Sequence, residues 1–281
     1  MRYAIAIAAA EFLMNPTIPI AVHGASGRMG QAILRLALAE PRTPVVAALA
    51  KPGSPMVGKP LREHFGAAAG ELGYTSSLDR SVSPAVLIDF SSADAFDGAL
   101  AAAVARRIPF VSGTTGLSSE QCAALAQASA SIPVLWSANF SVGVAVLARL
   151  ARDAAKALAG WDCEIAEAHH RHKKDAPSGT ARMLGRVVAE ARGDDFDRVA
   201  VWDRTGSSRA RDPSEIGFAV VRAGDVVGEH TVVFAGDGER IELTHRATDR
   251  DIFARGALRA AFWIAGRSAG NYAMADLLEA E

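Results

Sequence analysis

The sequence predicts an α/β protein of two domains, the first built on a parallel sheet and the second, an α+β domain, on a mainly antiparallel sheet. Its 281 residues reach the size at which a single hydrophobic core stops growing, roughly 250–300 residues. Strand-like and helix-like segments alternate up to residue 136, and the pattern changes at about residue 141. Such alternation is typical of a parallel sheet whose two faces are covered by helices.

Five apolar segments predict the strands of the first domain: Ile18–His23, Val45–Ala50, Ala85–Phe90, Pro109–Ser112 and Pro133–Trp136. Alanine-rich segments with apolar residues at helical spacing lie between them and predict helices over Arg28–Ala39, Asp94–Arg107 and Ser119–Ala130. The strands are continuous apolar runs, as a sheet buried on both faces requires.

The second domain is predicted to begin with a long helix over 142–158, a strand that ends near His169 and a helix that ends near Arg192. Three further strands are predicted over Gly217–Arg222, Val226–Ala235 and Arg240–Arg246. We interpret the Gly/Asp turns at 223–225 and 236–238 as hairpins, because these residues tolerate positive φ. An amphipathic helix over 251–266 is expected to return to the first domain.

Charge and cysteine content exclude several classes of protein. The net charge of −1 argues against nucleic acid or an anionic membrane as a partner. The two cysteines are too few for a disulfide framework, and no segment has the pattern of a membrane span. We therefore expect a cytoplasmic protein, with residues 1–16 as a loosely attached extension.

A glycine-rich turn joins the first predicted strand to the first helix, with the sequence Gly24, Ala25, Ser26, Gly27, Arg28, Met29 and Gly30. Glycines here let the backbone bend tightly, let a pyrophosphate approach the amides and let the helix pack close to the strand. The helix start adds unpaired N–H groups and a positive dipole end. Because the turn opens the first βαβ unit, it favours a Rossmann-type dinucleotide-binding domain over the alternative, a plain strand-to-helix turn.

The end of the second predicted strand indicates which dinucleotide binds. NAD-binding domains place an acidic residue there for the ribose hydroxyls, whereas this chain has Ala50 followed by Lys51. The missing acceptor and the added cation favour a 2′-phosphate, so we predict NADPH as the preferred cofactor and NADH as the second candidate. The alternative is that Lys51 is only a solvated loop lysine.

Two further loops follow predicted strands at their carboxyl ends, where open α/β sheets bind ligands. The first contains Gly113, Thr114, Thr115 and Gly116, and the second contains Ser137, Ala138, Asn139 and Phe140. Each could be an ordinary turn. Together with the glycine turn, they predict the binding site of the nicotinamide ribose and carboxamide.

A basic segment in the second domain is the most informative part of the sequence. His169, His170, Arg171, His172, Lys173 and Lys174 place three of the seven histidines beside three cations. Ser178 is a suitable N-cap for the helix that follows, and Gly179 and Thr180 offer first-turn amides. This combination predicts a carboxylate or phosphate site. Because the glycine turn already serves the cofactor, we interpret it as the substrate site, facing the cleft between the domains.

Three interpretations of the basic segment compete. A metal site is one, but adjacent histidines on a strand point to opposite faces and the neighbouring lysines would repel a cation. A solvated basic loop is the second. An acid/base and anion-binding site fits the residue types best, because histidine transfers protons near neutral pH and lysine can donate a proton or hold a carboxylate.

These motifs together resemble the dihydrodipicolinate reductase family. The resemblance is carried by the glycine turn, the Gly113–Gly116 loop, Ala138–Val144, Glu167–Thr180, Gly217–Phe218, Val221–His230 and Leu243–Ala247, and it covers about residues 18–280 in the same order. The segment from His169 through Thr180 is its most specific part. Family members carry an acidic residue, or sometimes another, where this chain has Ala50, and this departure reinforces the expectation of NADPH.

The resemblance implies reduction of a small cyclic dicarboxylate, 4-hydroxy-tetrahydrodipicolinate, by NAD(P)H with loss of water, in the diaminopimelate branch of lysine biosynthesis. It implies that His169 is the acid/base residue and Lys173 the proton donor. It also implies that His170, Gly179 and Thr180, with Ser178 at the helix start, bind the substrate, and that the protein is a homotetramer.

The expected domain division follows from these assignments. Residues 17–140 and 248–281 form a discontinuous dinucleotide-binding domain, and residues 141–247 form a substrate-binding and oligomerisation domain. Two other functions remain open from the sequence. One is a different two-domain NADP-dependent oxidoreductase, which would not need so dense a cationic cluster. The other is a non-catalytic NADP-binding sensor, which could dispense with His169 and Lys173.

Overall fold

The computed structural model describes residues 17–279, and the predicted extension over residues 1–16 lies outside the described residues. The chain forms two compact units. Among the described residues, the first comprises residues 17–140 together with Phe253–Leu277, and the second comprises Ser141–Ile252 with Leu278 and Glu279. Among the described residues, no helix combines the length and the apolar character that crossing a membrane requires.

The first unit contains a seven-stranded sheet in which every pair of neighbours is parallel. Its strands are β1 (Ile20–His23), β2 (Val45–Leu49), β3 (Tyr74–Thr75), β4 (Val86–Asp89), β5 (Phe110–Ser112), β6 (Pro133–Trp136) and β12 (Gly270–Tyr272), in the spatial order β12-β6-β5-β4-β1-β2-β3. The order reverses between β1 and β4, which is the position where doubly wound sheets bind ligands. The predicted parallel sheet is confirmed, whereas β3 and β12 were too short to stand out from the sequence.

Helices accompany this sheet, and the apolar spacing predicted each of them except the short helix over Arg62–Phe65. They are α1 (Arg28–Leu38), α2 (Arg62–Phe65), α3 (Ala93–Arg106), α4 (Ser119–Ala128) and α8 (Asp251–Ile264), with 3₁₀ turns over Gly66–Ala69 and Asp276–Leu278. One core cluster packs Phe96 of α3 edge-to-face on Phe110 of β5, with ring centroids 6.0 Å apart. Ser118 and Gln121 form a reciprocal capping box that fixes the start of α4.

The second unit contains a five-stranded sheet with helices packed on one face. Its strands are β7 (Asp162–His169), β8 (Ala200–Val201), β9 (Ile216–Arg222), β10 (Gly228–Gly236) and β11 (Glu239–Ala247), and its helices are α5 (Val142–Ala157), α6 (Gly179–Arg192) and α7 (Phe196–Val199). Alternate residues of β7, such as Cys163 and Ile165, pack with Leu147 of α5 and Leu184 of α6 in one buried cluster. Glu167 and His169 continue this alternation, so their side chains are directed to the same face.

The connection at 223–225 differs from the predicted hairpin. The strand order is β11-β10-β7-β9-β8, so β9 and β10 lie on opposite sides of β7 and do not pair with each other. β7 is parallel to β9 and antiparallel to β10, which makes the sheet mixed. The hairpin prediction was wrong here because turn residues indicate that the chain reverses, but not which strand becomes its neighbour. The hairpin at 236–238 is confirmed, with Gly236 opposite Glu239.

This crossing connection binds the end of β7. The Ala223 N–H donates to the His169 carbonyl at 2.9 Å, and the Arg171 N–H donates to the Gly224 carbonyl at 3.2 Å. The loop therefore holds the start of the basic segment against the carboxyl end of the sheet. The mixed topology positions the residues that the sequence marked as the substrate site.

Candidate active site

The glycine turn of the first unit lies at the carboxyl end of β1, beside β4, where the strand order reverses. Gly24 has a φ of +74°, and a Cβ there would lie 2.4 Å from the Phe90 carbonyl oxygen. A Cβ at Gly30 would lie 2.2 Å from the Gly24 carbonyl oxygen. Gly24 is therefore required for the close approach of the turn to the end of β4, and Gly30 for the close packing of α1 on the turn.

Helix α1 begins without a side-chain cap. Its N-cap is Gly27, and among the described residues no side chain accepts from the first-turn amides, whereas Ser118, Ser141 and Ser178 cap α4, α5 and α6. Gly27 and Arg28 are exposed, Ser26 and Met29 are half-buried and Ala25 is buried. An exposed and uncapped helix start is suited to the pyrophosphate of a dinucleotide.

A buried carboxylate ties together three strand ends beneath this turn. Asp89, at the end of β4, accepts from His23 Nδ1 at 2.8 Å, the Ser91 N–H at 3.2 Å, Ser112 Oγ at 2.8 Å and Thr114 Oγ1 at 2.7 Å. Burial raises the pKa of Asp89, but the hydrogen bonds from His23, Ser91 and Thr114 outweigh it, so the pKa lies below its usual value. The network fixes the loops that leave β4 and β5.

This network was not predicted, although the sequence contained a signal for it. His23, Asp89 and Ser112 are the last residues of β1, β4 and β5, and they lie side by side in the sheet register. Polar residues that end three neighbouring apolar strands meet at one edge of a parallel sheet, so their clustering follows from the topology.

The other residues predicted to bind the cofactor lie at the same edge, with different exposures. Thr114 is buried and donates to Asp89, while Thr115 is exposed. A Cβ at Gly113 would lie 2.2 Å from the ring of Phe90. The side chain of Phe140 is buried and its ring lies 5.2 Å from that of Phe90, so it shapes the loop from the protein side.

The remaining residues predicted to bind the cofactor lie in the loop after β6 and directly after β2. Ser137 Oγ donates to the Asn139 carbonyl at 2.8 Å, and Ala138 is exposed. Ala50 is buried, with its N–H donating to the Thr75 carbonyl at 2.8 Å. Lys51, the next residue, is exposed.

The second unit brings four charged or polar side chains together at the end of its sheet. Glu167 and His169 share one face of β7, and Arg222 of β9 lies opposite His169 in the register. His230 of β10 lies opposite Glu167. The rings of His169 and His230 meet edge-to-face with centroids 5.1 Å apart. Glu167, Arg222 and His230 lie in segments that carry the family resemblance, but no functional role was predicted for them from the sequence.

Glu167 is the buried centre of this group. Its Oε1 accepts from the Ser178 N–H at 2.9 Å and from Arg222 Nη2 at 2.9 Å, and its Oε2 is in contact with Nδ1 of His169. Burial raises the pKa of Glu167, but the hydrogen bonds from Arg222 and Ser178 and the neighbouring charges outweigh it, so the pKa lies below its usual value. Glu167 is therefore an ionised acceptor at neutral pH.

Ser178 begins helix α6 as predicted. Its Oγ accepts from the Ala181 N–H at 3.2 Å and lies 3.1 Å from Nε2 of His230. Burial, followed by the neighbouring His169, lowers the pKa of His230 to about 4, so this histidine is neutral at pH 7. A Cβ at Gly179 would meet no atom within 4 Å, which leaves open space above the first turn of α6.

The predicted acid/base and substrate groups lie around this centre. Burial lowers the pKa of His169, the Glu167 carboxylate raises it and Lys173 lowers it, and the balance lies below the usual value. Lys173 Nζ contacts Asp175 Oδ1 at 2.9 Å. Desolvation, followed by the neighbouring Arg250, His172 and Lys173, lowers the pKa of His170, and the two cations among these neighbours suit an anionic ligand.

Glu167, His169 and His230 are also grouped as metal ligands would be, since their ligand atoms lie within 4.8 Å of one another. The geometry argues against a metal. Ligand atoms around a tetrahedral zinc ion are separated by roughly 3.3 Å, whereas Glu167 Oε2 and His169 Nδ1 are in direct contact, closer than two ligands of one ion would be. The Arg222 guanidinium also shares this carboxylate. We interpret the group as a hydrogen-bonded cluster.

The two units therefore supply complementary parts. The first has the strand order, the required glycines and the uncapped helix start of a dinucleotide-binding domain. The second has a histidine with a lowered pKa beside a lysine and a helix N-terminus. Together they define an oxidoreductase that uses a nicotinamide dinucleotide.

Comparison with known proteins specifies the family. The family model for the N-terminus of dihydrodipicolinate reductase matches residues 18–140, and the model for its C-terminus matches residues 143–278. This chain belongs to the dihydrodipicolinate reductase family. The 4-hydroxy-tetrahydrodipicolinate reductase of Thiobacillus denitrificans is 48% identical, with 93% of this chain and 98% of that protein aligned.

A second relative agrees with this, and a solved structure shares the fold. The 4-hydroxy-tetrahydrodipicolinate reductase of Stenotrophomonas maltophilia is 48% identical over 95% of this chain and 100% of its own length. The dipicolinate-bound dihydrodipicolinate reductase of Paenisporosarcina sp. TG-14 has the same fold, with a TM-score of 0.71 and 22% identity over 92% of this chain and 97% of that one.

Substitution of Asp89 by asparagine tests the network beneath the glycine turn. Four groups now donate hydrogen bonds to the Asp89 carboxylate. The asparagine NH₂ cannot accept a hydrogen bond, so it would face one of these donors and leave it unsatisfied in a buried position. We expect the free energy of unfolding to fall by about 1–3 kcal/mol and the Kd for NADPH to rise about tenfold. Urea denaturation and a fluorescence titration measure these values.

The matched control is Asp94→Asn, an exposed carboxylate in the first turn of α3. It should leave the Kd for NADPH unchanged and cost less than about 1 kcal/mol. If Asp89→Asn binds NADPH as tightly as the unsubstituted protein, the network does not organise the cofactor loops.

Proposed function

We propose that this protein reduces 4-hydroxy-tetrahydrodipicolinate to tetrahydrodipicolinate in the diaminopimelate branch of lysine biosynthesis. In this reaction the substrate loses one water and gains a hydride and a proton, so the site must bind two carboxylates and transfer protons. The observation that carries the proposal is the placement of His169 and Lys173 beside the start of α6, within a cationic surrounding.

The substrate carboxylates are proposed to bind at the N-terminus of α6 and beside His170. Ser178 caps this helix and sets its direction, while the open space at Gly179 leaves room for an anion next to the first-turn backbone of Gly179 and Thr180. The cations that lower the pKa of His170, which include Arg250 and Lys173, would complement a dianion. A bound dianion would raise that pKa in turn.

His169 and Lys173 are proposed to handle the protons. The lowered pKa of His169 keeps its ring neutral at pH 7, so its free ring nitrogen can accept a proton as water is lost. Lys173, held by Asp175 in this structure, would turn its ammonium to the substrate and donate the proton that accompanies reduction. The bound nicotinamide supplies the hydride, and the protein supplies charge complementarity and orientation.

NADPH is the cofactor we propose for this chain. The strand end that carries an acidic residue in NAD-binding domains carries Ala50 here, and that side chain is buried. Among the described residues, no carboxylate forms an ion pair with the exposed Lys51 beside it, and its charge suits a 2′-phosphate. The start of α1 would hold the pyrophosphate with the amides of Arg28 through Gly30, because the Gly27 N–H already donates to the Gly24 carbonyl.

We also propose a homotetramer assembled through the second unit and located in the cytoplasm. Helices pack on one face of its sheet, whereas the opposite face leaves Ala166, Ala219 and Val221 exposed, with Val221 52% accessible. An exposed apolar surface of this kind favours association with another copy. Cys122 and Cys163 are free thiols, which suits a reducing compartment.

The proposed activity is tested by coupling the purified protein to a dihydrodipicolinate synthase reaction and following NADPH absorbance. We expect consumption that depends on the synthase. His169→Ala and Lys173→Ala should each lower kcat by about 10²–10⁴-fold, the usual contribution of an acid/base group. Circular dichroism would establish that both variants are folded.

Lys174→Ala is the control, because it removes a neighbouring exposed cation without removing a proposed proton-transfer group. It should keep kcat within about threefold. Normal turnover by Lys173→Ala would contradict its role as proton donor. No NADPH consumption by the unsubstituted protein would favour a different oxidoreductase or a non-catalytic sensor.

If NADPH is the preferred cofactor, the Lys51→Ala variant should discriminate less between NADPH and NADH. Removing a charged hydrogen bond to the 2′-phosphate should lower the ratio of kcat/KM for NADPH to that for NADH by about tenfold or more. Lys59→Ala, an exposed lysine of the same unit, should leave the ratio unchanged. A preference of the unsubstituted enzyme for NADH would overturn the proposal.

The oligomeric proposal predicts a particle of four times the chain mass of 29.4 kDa by light scattering. Val221→Asp should shift it to smaller species, because it places a charge on the exposed sheet face. Leu150→Asp changes a residue of similar exposure, 48%, on α5 and should keep the tetramer. A monomeric unsubstituted protein, or a tetrameric Val221→Asp variant, would contradict this assembly.

A further inference from the structure

We propose that Glu167 is a positioning residue that fixes the tautomer of His169 and, with its other oxygen, holds the start of helix α6. One buried carboxylate would then set both the acid/base group and the substrate-binding helix. This inference rests on the proposed function, because it assigns His169 to proton transfer.

The tautomer of His169 follows from its contact with Oε2 of Glu167. Because Glu167 is ionised, its Oε2 repels a lone pair on Nδ1 of His169, which it contacts, and attracts a proton there, so we place the ring proton on Nδ1. A neutral ring with the proton on Nδ1 has its lone pair on Nε2. A Cβ at Gly228 would lie 3.0 Å from that Nε2, so this glycine keeps the reactive nitrogen uncrowded.

The hold of Glu167 on the start of α6 follows from the hydrogen bonds that its Oε1 accepts. This oxygen accepts from the Ser178 N–H, the residue that caps α6, and from Arg222, each at 2.9 Å. Arg222 Nη2 also donates to the Asp175 carbonyl at 2.6 Å, which attaches the basic segment to the same centre. Displacement of Glu167 would therefore move His169 and the start of α6 together.

Charge gives the carboxylate a further effect on His169. The ionisable groups that face this histidine are Glu167 from β7, Lys173 from the basic segment, Arg222 from β9 and His230 from β10. Glu167 is the anion among these four, and it raises the pKa of His169 while Lys173 and Arg222 lower it. Its removal should therefore move the protonation of His169 to still lower pH.

Glu167→Gln tests the proposal, since it keeps the shape of the side chain and an oxygen for Ser178 and Arg222. Its amide nitrogen would donate to Nδ1 of His169 and force the ring proton onto Nε2. We expect kcat to fall by about 10²–10⁴-fold, as when a triad carboxylate is replaced by its amide, with KM rising less than about tenfold. The acid limb of kcat/KM, which reports the free enzyme, should move to lower pH.

Two further variants separate positioning from stability. Glu167→Asp keeps a carboxylate and should recover at least about tenfold of the lost kcat. Glu215→Gln removes another buried glutamate of the same unit, which is paired with Arg204 and Arg209 at the opposite end of β9. It should lower the free energy of unfolding by an amount similar to Glu167→Gln, while kcat and the acid limb stay unchanged.

The outcomes distinguish this inference from the function on which it rests. An inactive unsubstituted enzyme refutes the proposed reaction. An active enzyme in which Glu167→Gln keeps kcat and the pH profile refutes the positioning role alone, as does an equal loss of kcat in Glu215→Gln. One equivalent of zinc in the purified protein, lost in Glu167→Gln by elemental analysis, would replace positioning with metal ligation.

Discussion

The carboxylate of Glu167 is the interaction on which the second unit's site depends. A buried charge is costly unless it is paired and hydrogen-bonded. Glu167, whose side chain is 1% exposed, accepts hydrogen bonds from Arg222 and the Ser178 N–H and lies in contact with Nδ1 of His169. These partners come from β9, from the start of α6 and from β7 itself. The carboxylate is therefore the point at which the sheet, the helix and the basic segment are joined. Removing one partner of a buried ion pair costs about 3–5 kcal/mol. The pair of Glu167 with Arg222 therefore holds the surrounding side chains firmly in place.

The first unit also has a buried, hydrogen-bonded carboxylate at the end of its parallel sheet. Asp89 is fully buried and receives donors from β1, from β5 and from the loops that follow β4 and β5. Hydrogen bonds outweigh burial at both carboxylates and keep them ionised. Each anion organises loops at strand ends. These loops contain the groups predicted to bind the cofactor in one unit and the substrate in the other.

The sequence predicted the features that depend on local pattern. The continuous apolar strands, the glycine turn and the cap at Ser178 all follow from neighbouring residues and were found at their expected places. The basic segment from His169 to Lys174 stood out by composition. The features that escaped depend on strand order. The turn at 223–225 indicated a reversal, but the placement of β7 between β9 and β10 is a non-local choice.

The same limit explains the site residues that were missed. Glu167 precedes His169 by two positions, so strand alternation places both on one face, but only the register with Arg222 and His230 shows that the carboxylate is surrounded. Asp89 ended an apolar strand without an obvious partner until His23 and Ser112 were aligned beside it. Family resemblance implied the roles of His169 and Lys173, whereas the residues that hold them were visible only in the packed structure.

The most direct test of this account is the protonation state of His169, read from the ¹⁵N chemical shifts of histidine-labelled protein at pH 7 and assigned with a His169→Gln variant. The account predicts a neutral ring with the proton on Nδ1, next to Glu167, and with an unprotonated Nε2. A ring protonated on Nε2 alone, or an imidazolium at this pH, would contradict it, because Glu167 would then not set the tautomer that proton transfer requires.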